Sequence, residues 1–310
     1  MLYPILIKPA CKDNIWGGTK LKKWNKGTTD IVAESWELSL HKNGMSVADN
    51  GIYKGMRFDE ILANNPDFLG DNAKSFEMFP VLIKFIDAKT PLSIQVHPSD
   101  EYALANEGQY GKTEVWYVMD ADEGAGIYCG FKNKITKDEY KQAIENNTIT
   151  DLLNFIEVKA GDIFMINAGT VHAIGAGLTI CEVQQNSDVT YRVYDYARVG
   201  ADGKQRELHV DKAIAVSNLD SIEYVQPSPA AIGNIIKTVV AECKYFKTYK
   251  YEVKDTTFVL YDEFVAITIL DGEGVFEEYD MKFEAGQTYF LPANCAVTMN
   301  GKFTMIFTTV

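Results

Sequence analysis

P-L-S-I-Q-V-H-P, residues Pro91–Pro98, is the stretch around which the rest of the chain is interpreted. In a strand, the alternation of side chains places Ser93, Gln95 and His97 on one face and two apolar residues on the other. Hydroxyl, amide and imidazole groups in series on one face are typical of a pocket wall. The alternative is a half-exposed strand whose histidine simply makes hydrogen bonds, and the stretch alone leaves both interpretations open.

Strand patterns flank this stretch on both sides. V-L-I-K-F-I-D (Val81–Asp87) is an apolar run that Lys84 interrupts, and further short strands follow as far as V-T-Y-R-V-Y. Glycine-rich turns separate them, which is typical of an antiparallel sandwich or barrel. Helices are predicted within 57–69, within 136–154 after the capping box T-K-D-E, and at 209–218. The second of these lies between strand-rich regions and is interpreted as an insertion.

The opening region contains two tryptophans beside glycines or strand residues. Trp16 lies in D-N-I-W-G-G, and Trp36 lies in E-S-W-E-L-S-L. The second segment alternates like a strand, with Trp36, Leu38 and Leu40 on one face. We expect both tryptophans to fill the core, and the apolar floor of a ligand site is the alternative.

Two segments of the chain are similar to each other. K-A-G-D-I-F-M-I-N-A-G-T-V-H ends at His172, and E-A-G-Q-T-Y-F-L-P-A-N-C-A-V ends at Val297. They share A-G, an aromatic residue near the strand centre and a turn with N-A or P-A. This similarity predicts two related barrels, of which only the first has the polar side chains. The segment V-Q-P-S-P-A (Val225–Ala230) predicts the linker between them.

Composition and charge exclude several functional classes. A chain of 310 residues exceeds the usual size of one domain, and its net charge of -13 argues against nucleic acid and against anionic membranes as partners. No segment is apolar enough to span a membrane, and the opening residues lack a signal-peptide pattern, so a cytoplasmic location is expected. The five cysteines lack C-x-x-C spacing, which predicts reduced thiols rather than disulfides. An oligomer is possible but not indicated.

Four side chains in the first half of the chain could bind one cation: Gln95, His97, Glu114 and His172. Imidazoles and a carboxylate are ordinary zinc ligands, and an amide oxygen is acceptable. Without a cysteine ligand, and with a net positive charge, such a site favours Lewis-acid chemistry over a structural role. The hypothesis requires three strands to bring Glu114 and His172 to the face of Gln95 and His97.

Positive side chains accumulate near the same segments: Lys84, Lys112, Arg192 and Arg198. The strand L-T-I-C-E-V-Q also places Glu182 on one face with two further residues. An acidic protein that concentrates cations around a candidate metal is arranged for an anionic ligand such as a phosphate. For each cation taken singly, a solvated surface position is the alternative.

Four motifs occur in a characteristic order: P-L-S-I-Q-V-H-P, G-K-T-E, G-T-V-H-A-I-G-A-G and E-V-Q-Q-N-S-D-V-T-Y-R-V-Y-D. With W-G-G and E-S-W-E-L-S before them, they resemble the type I mannose-6-phosphate isomerase family in its short bacterial form. The resemblance extends from Trp16 to about Arg198. It implies a mainly β, double-cupin fold of two antiparallel β-barrels or jelly rolls. The catalytic cupin would span 1–224, with a small helical insertion at about 134–154, and a cupin-like barrel without metal ligands would span 225–310.

The same resemblance implies residue roles. One zinc ion per chain would be held by Gln95, His97, Glu114 and His172. Arg192 matches the catalytic arginine of the family, and Ser93, Lys84 and Lys112 fall where the family places groups that contact a sugar phosphate. Arg198 departs from the lysine that longer members carry at this position, but an arginine could hold phosphate with two hydrogen bonds, so Arg198 is expected to share the phosphate with Lys84, Lys112 and Ser93.

Interconversion of mannose 6-phosphate and fructose 6-phosphate moves a proton between C1 and C2 through an enediol. It needs a Lewis acid, a base and a phosphate clamp. Glu182 is the predicted base because it is a carboxylate on an inward strand face, with Lys112 or a metal-bound water as substitutes. An ion pair between Glu182 and Arg192 is the purely structural alternative.

Two other functions fit the same residues. Two histidines and one carboxylate also describe the facial triad of a non-haem iron cupin oxygenase. A sugar-phosphate-binding cupin without catalysis would use Arg192 and Glu182 only as ligands. The fold alone does not choose among these functions.

Overall fold

A computed structural model describes residues 2–200 and 203–310 as a mainly β structure. The strands of the first two thirds are β1 (Ile5–Lys8), β2 (Ala10–Lys12), β3 (Glu34–Leu38), β4 (Val47–Ala48), β5 (Val81–Ala88), β6 (Ile94–Val96), β7 (Glu114–Ala121), β8 (Gly126–Phe131), β9 (Leu153–Glu157), β10 (Ile163–Ile166), β11 (His172–Ile174), β12 (Leu178–Gln185) and β13 (Tyr191–Tyr194). Those of the last third are β14 (Ala230–Ile232), β15 (Ile235–Glu242), β16 (Lys247–Val253), β17 (Thr256–Val259), β18 (Val265–Phe276), β19 (Met281–Glu284), β20 (Thr288–Leu291) and β21 (Val297–Thr309). The α-helices are α1 (Phe58–Asn64), α2 (Asp71–Lys74), α3 (Asp100–Glu107), α4 (Lys137–Glu145), α5 (Ile149–Leu152) and α6 (Val210–Val216).

The strands form three antiparallel sheets. The central sheet has the order β10-β7-β12-β5-β3-β2, and the helix-backed sheet has the order β13-β6-β11-β8-β9. The C-terminal sheet has the order β14-β15-β16-β21-β18-β20-β1-β4, with β17 and β19 attached to β21 and β18. Within the two described ranges the pairing closes none of these sheets into a barrel. The mainly β, antiparallel class is therefore confirmed, and the pair of barrels stays a prediction.

The central sheet is covered on both faces. Ile180 on one face packs in a shared core with Ile174 of the helix-backed sheet. Phe85 on the other face lies in one hydrophobic core with Phe264, which directly precedes β18 of the C-terminal sheet. Every residue of β5 and β12 is consequently buried, which explains the nearly continuous apolar run of β5. Lys84 is the exception in that run, and it lies on the face toward the helix-backed sheet.

Helices α4, α5 and α6 cover the outer face of the helix-backed sheet. Tyr140 of α4 packs edge-on against Phe131 of β8, with ring centroids 5.3 Å apart. The predicted capping box begins α4, where Thr136 and Glu139 bond each other's backbone N–H groups. The single helical segment predicted at 136–154 is instead two helices followed by β9, because the chain turns between 146 and 148. No helix within the described ranges is long and apolar enough to span a membrane.

The two copies of the internal similarity fold alike. One copy is β10 with the start of β11, the other is β20 with the start of β21, and Gly161 and Gly286 before them both have positive φ, 99° and 87°. The C-terminal sheet also recruits β1, where Ile5 pairs with Phe290. The domain boundary between 224 and 225 stays a prediction, since the first strand of the chain joins the second sheet.

The prediction of which side chains share a face of β3 was wrong. Trp36, Leu38 and Leu40 were expected on one side of the strand. The register of β3 against β5 shifts between Trp36 and Leu38, so a β-bulge turns Leu38 to the opposite face, toward the C-terminal sheet. Trp36 remains on the face of its partner Lys84.

Candidate metal centre and cavity

Strand β6 has the predicted two-faced character. Ile94 and Val96 pack into the core beneath the helices. Gln95 points the other way, and its cross-strand neighbours are His172 of β11 and Arg192 of β13. The helix-backed sheet thus presents amide, imidazole and guanidinium groups side by side toward the central sheet.

Three of the four predicted ligands form a compact buried cluster. The ligand atoms of His97, Glu114 and His172 all lie within 4.8 Å of one another. Glu114, at the start of β7 in the central sheet, places Oε1 3.3 Å from Nε2 of His172 and Oε2 3.6 Å from Nε2 of His97. The amide Nε2 of Gln95 lies 3.4 Å from Nε2 of His172, so the fourth predicted ligand adjoins the cluster. The structure therefore brings these four residues together from two sheets.

Backbone carbonyls orient both imidazoles. Nδ1 of His97 donates to the carbonyl of Val189 at 2.9 Å, and Nδ1 of His172 donates to the carbonyl of Thr170 at 2.8 Å. This tautomer leaves the lone pair of each Nε2 directed at Glu114, an arrangement found around metal-bound histidines. Burial lowers the pKa of His172 to about 4 and that of His97 well below its usual value, so both rings are neutral.

The cluster has unsatisfied buried atoms that a cation would satisfy. Among the described residues, Nε2 of His97 and both carboxylate oxygens of Glu114 lack a hydrogen bond of ordinary geometry. The ammonium of Lys112 is nevertheless 2.9 Å from Oε2 of Glu114. Buried polar atoms without partners cost free energy, and a divalent metal between them would remove that cost. Two neutral imidazoles, one carboxylate and one amide therefore fit a metal ion.

A row of alternating charges continues from the cluster. Lys112 lies between Glu114 and Glu182, and its Nζ is 4.0 Å from Oε2 of Glu182. Nζ of Lys84 is 3.1 Å from the same oxygen, and the indole N–H of Trp116 donates to Oε1 at 3.0 Å. Burial raises the pKa of Glu182, but Lys112 and Lys84 outweigh it and hold the pKa below its usual range. Glu182 is thus an ionised carboxylate whose partner is Lys84, in place of the Arg192 of the structural alternative.

A cavity of about 340 Å³ opens beside this row. Its volume is in the range of small-molecule sites. The predicted residues that line it are Lys84, Ser93, Gln95, Lys112, Glu182 and Arg192. Lining residues that sequence reasoning did not assign to the site are Lys12, Asn14, Trp16, Glu34, Trp36, Ile86, Leu92, Trp116, Ile174, Asp188, Thr190 and Arg206. A larger groove of about 1070 Å³ lies along β1, between the segment 23–29 and the turns of the C-terminal sheet at Gly272 and Gly286, away from the predicted ligands.

Four predicted site residues do not line the cavity: Arg198, and the ligands His97, Glu114 and His172, which adjoin it through Gln95 and Lys112. The guanidinium of Arg198 pairs with Asp195 and donates to the carbonyl of Pro91 at 2.5 Å. Arg206 from the same segment lines the cavity instead. The sequence offered two arginines within nine residues; both contact Asp195, and only the folded chain shows that Arg206 is the one that reaches the wall.

Trp36 forms another part of the wall that the sequence only partly indicated. The ammonium of Lys12 lies 3.3 Å from the centroid of the Trp36 ring, and that of Lys84 lies 5.0 Å away. The indole N–H donates to Glu34 at 2.6 Å. Trp16 and Trp36 are buried as expected, yet both also line the cavity, so the core and ligand-site interpretations hold together. The i, i+2 spacing of Glu34 and Trp36 was the available signal.

Comparison with known proteins gives consistent matches. A family model described as "Phosphomannose isomerase type I, catalytic domain" matches residues 5–125. Mannose-6-phosphate isomerase ManA of Bacillus subtilis (strain 168) is 40% identical over 295 residues, which cover 93% of each chain. The mannose-6-phosphate isomerase of Streptococcus mutans is 38% identical over 277 residues, covering 88% of this chain and 87% of the relative. The crystal structure of the mannose 6-phosphate isomerase from Bacillus subtilis superposes with a TM-score of 0.92 at 34% identity, covering 99% of both chains.

The family model ends before four of the predicted site residues. Gln95, His97 and Glu114 lie inside the matched range, whereas His172, Glu182, Arg192 and Arg198 lie beyond residue 125. The full-length relatives extend the similarity over those positions as well. The cluster and the cavity therefore both lie in parts of the chain that the relatives share.

Proposed function

Because the chain belongs to the type I phosphomannose isomerase family, we propose that this enzyme is a zinc-dependent aldose–ketose isomerase that interconverts mannose 6-phosphate and fructose 6-phosphate. The observation that carries the proposal is the buried cluster of His97, Glu114 and His172 beside a cavity walled by cationic side chains. Family membership supports the substrate, and the cluster supports the metal.

Gln95, His97, Glu114 and His172 would hold the zinc ion, which when bound supplies Lewis-acid polarisation of substrate oxygens. The amide of Gln95 currently accepts from the Ser93 hydroxyl at 3.3 Å through Oε1. A half-turn of the amide exchanges its nitrogen and oxygen, so that the oxygen faces His172. The hydroxyl of Ser93 then remains next to the amide as a neighbour of the substrate.

Arg192 and Arg206 are proposed to bind the phosphate at one side of the cavity. Nη1 of Arg192 donates to the carbonyl of Glu207 at 2.8 Å, while its buried Nε has no hydrogen-bond partner in the described part of the chain. A phosphate oxygen would satisfy that nitrogen, and guanidinium groups bind phosphate through paired hydrogen bonds. Arg206 takes the place in the proposal that the sequence suggested for Arg198.

Glu182 is proposed to transfer the proton between C2 and C1. Its carboxylate is ionised and is fixed by Trp116 and Lys84, so one oxygen position is held constant above the cavity. The carboxylate accepts the C2 proton of the aldose and leaves an enediolate, the proton of the C2 hydroxyl moves from O2 to O1, and the carboxylic acid returns the first proton to C1 on the same face. Lys112 stabilises the negative charge that develops on the enediol oxygens, since Arg192 is occupied by the phosphate.

We further propose the two-domain organisation of the family for this chain. Residues 1–224 would form the catalytic cupin, in which the central and helix-backed sheets face each other as a jelly roll, with the helical insertion at about 134–154. Residues 225–310 would form the second, cupin-like unit, in which Val297 stands where the first has a histidine. The shared core between Phe85 and Phe264 supports close packing of the two units.

A coupled assay on purified protein tests the function. We expect mannose 6-phosphate to be converted to fructose 6-phosphate, the turnover to be abolished by a chelator, and zinc to restore it. Gln95→Leu should lower metal content and turnover, whereas Gln142→Leu on the exposed side of α4 should change neither. Saturable binding without turnover, or iron content with substrate-dependent oxygen uptake, would overturn the proposal in favour of a binding module or an oxygenase.

A further inference from the structure

Asp195 lies directly after β13 and bridges two arginines. Its carboxylate accepts Nε of Arg206 at 2.7 Å on one oxygen and Nη2 of Arg206 at 2.5 Å on the other. Nη2 of Arg198 donates to it as well. Asp195 is only 5% exposed, whereas both arginine side chains reach water in part. A two-point contact fixes the plane of a guanidinium group, which a single contact does not.

The two-point contact with Asp195 leaves one nitrogen of the Arg206 guanidinium for another partner. With Nε and Nη2 engaged by Asp195, Nη1 is the nitrogen available to the cavity that Arg206 lines. The guanidinium of Arg192 lines the same wall and keeps one buried nitrogen without a partner. Burial, followed by the positive charge of Arg206, lowers the pKa of Arg192, and both side chains line one cavity. An anion between them would relieve this repulsion.

Asp195 also connects this wall to the strand that carries the metal ligands. The carbonyl of Asp195 accepts the backbone N–H of Arg198 at 3.0 Å. Nη1 of Arg198 in turn donates to the carbonyl of Pro91, two residues before Ser93. The carboxylate of Asp195 thus holds Arg206 at the cavity and, through Arg198, connects the end of β13 to the residues that precede β6.

We infer that Asp195 is a positioning residue, which holds the guanidinium of Arg206 in the orientation that binds the phosphate group of the substrate. The inference rests on the proposed function and names the anion site within it. An arginine side chain has several rotatable bonds, so it loses conformational entropy when it binds a ligand. Because Asp195 already fixes the guanidinium of Arg206 in the unbound protein, phosphate binding has a smaller entropy cost. Asp195 acts through Arg206 and does not contact the substrate itself.

Steady-state kinetics and phosphate binding of Asp195→Asn test the inference. We expect the KM for mannose 6-phosphate and the inhibition constant of inorganic phosphate to rise about tenfold, which corresponds to loss of a charge-assisted contact, while kcat changes less than about threefold. In the Arg206→Lys background, the same substitution should change KM less than about twofold, because the two residues act as one unit. Additive effects on KM would overturn the inference.

Asp59→Asn is the matched control. It removes a similar two-point contact, 3.0 Å and 2.6 Å, from the exposed Arg57 outside the cavity, and we expect KM and phosphate inhibition to stay unchanged. A merely structural role of Asp195 would lower the folded fraction and hence the apparent kcat, with KM and phosphate inhibition unaffected, and that result would also overturn the inference.

If Asp195→Asn prevents folding, Asp195→Glu carries the test, since the longer side chain keeps the charge but moves the carboxylate out of its two-point contact with Arg206. Unchanged KM and unchanged phosphate inhibition in that variant would overturn the inference, and a rise in both at unchanged kcat supports it. Calorimetric titration with inorganic phosphate separates the two proposals. An unmutated protein that binds phosphate but turns over no sugar phosphate contradicts the proposed function, while weaker phosphate binding by Asp195→Asn still supports the positioning role.

Discussion

Glu182 has a stabilising role and a proposed catalytic role, and one substitution can measure both. Its carboxylate is 3.1 Å from Lys84 and accepts the indole N–H of Trp116, so it stabilises a buried cation as well as serving as the proposed base. Glu182→Gln keeps the shape but removes the charge. We expect kcat to fall by a factor of about 10² to 10⁴. We also expect the free energy of unfolding to fall by about 1–3 kcal/mol, because Lys84 loses its partner. Metal content should stay at one ion per chain.

Glu263→Gln is the control for this substitution, because Glu263 is also a buried glutamate that accepts hydrogen bonds, from the backbone N–H groups of Asn72 and Ala73. It should lower stability without changing kcat per folded molecule. Urea denaturation, elemental analysis and the coupled assay give the three readouts. If Glu182→Gln retained its kcat, the proton transfer would have to be assigned to Lys112 instead.

At the scale of single elements, the capping box of α4 gives a prediction that is independent of the site. The hydroxyl of Thr136 accepts the backbone N–H of Glu139 at 3.2 Å, and the carboxylate of Glu139 accepts the backbone N–H of Thr136 at 2.7 Å. Thr136→Ala should lower the free energy of unfolding by about 1 kcal/mol, since one exposed N–H group of the first turn loses its acceptor. Urea denaturation measures the change, and unaltered kcat and KM are expected. No loss of stability would show that packing of Tyr140 alone holds the helix start.

The local sequence pattern was sufficient to predict features that depend on a single strand or helix. The alternation of β6 separated Gln95 from Ile94 and Val96, and the capping box marked the start of α4, because both depend on residues close in sequence. The full burial of β5 was also visible as an apolar run. Lys84 within that run pointed correctly to a polar cavity, since a buried ammonium needs a partner such as Glu182.

The sequence could not show features that depend on contacts between elements. The bulge after Trp36 changes the facing of Leu38 because of the pairing of β3 with β5, and no local pattern records it. Whether Arg198 or Arg206 lines the cavity depends on the folded chain, in which Arg198 reaches the carbonyl of Pro91 and Arg206 reaches the cavity wall. The metal ligand set was proposed by residue type and by family resemblance, and only the packing of two sheets places Glu114 beside the histidines.

At the scale of the whole molecule, the proposed domain boundary can be tested by truncation. A fragment of residues 1–224 would lose β20, which pairs with β1, and would lose Phe290, whose ring lies 4.9 Å from that of Phe58. The outer face of the central sheet would then be exposed to water. We expect the fragment to lack a cooperative unfolding transition, measured by circular dichroism in urea beside the full chain. A cooperative transition would instead show that residues 1–224 fold independently.

Metal removal tests how the two facing sheets are held together. Glu114 comes from the central sheet, whereas Gln95, His97 and His172 come from the helix-backed side, so one ion would join them. A ligand that binds only the folded state stabilises it in proportion to the logarithm of its excess over Kd. Chelation should therefore lower Tm by on the order of 5 °C, and added zinc should restore it. In Glu114→Gln the chelator should have no effect on Tm, while in Glu145→Gln, an exposed glutamate of α4, the full shift should remain. A chelator shift that persisted in Glu114→Gln would place the metal outside this cluster and would remove the main support for the proposed zinc chemistry.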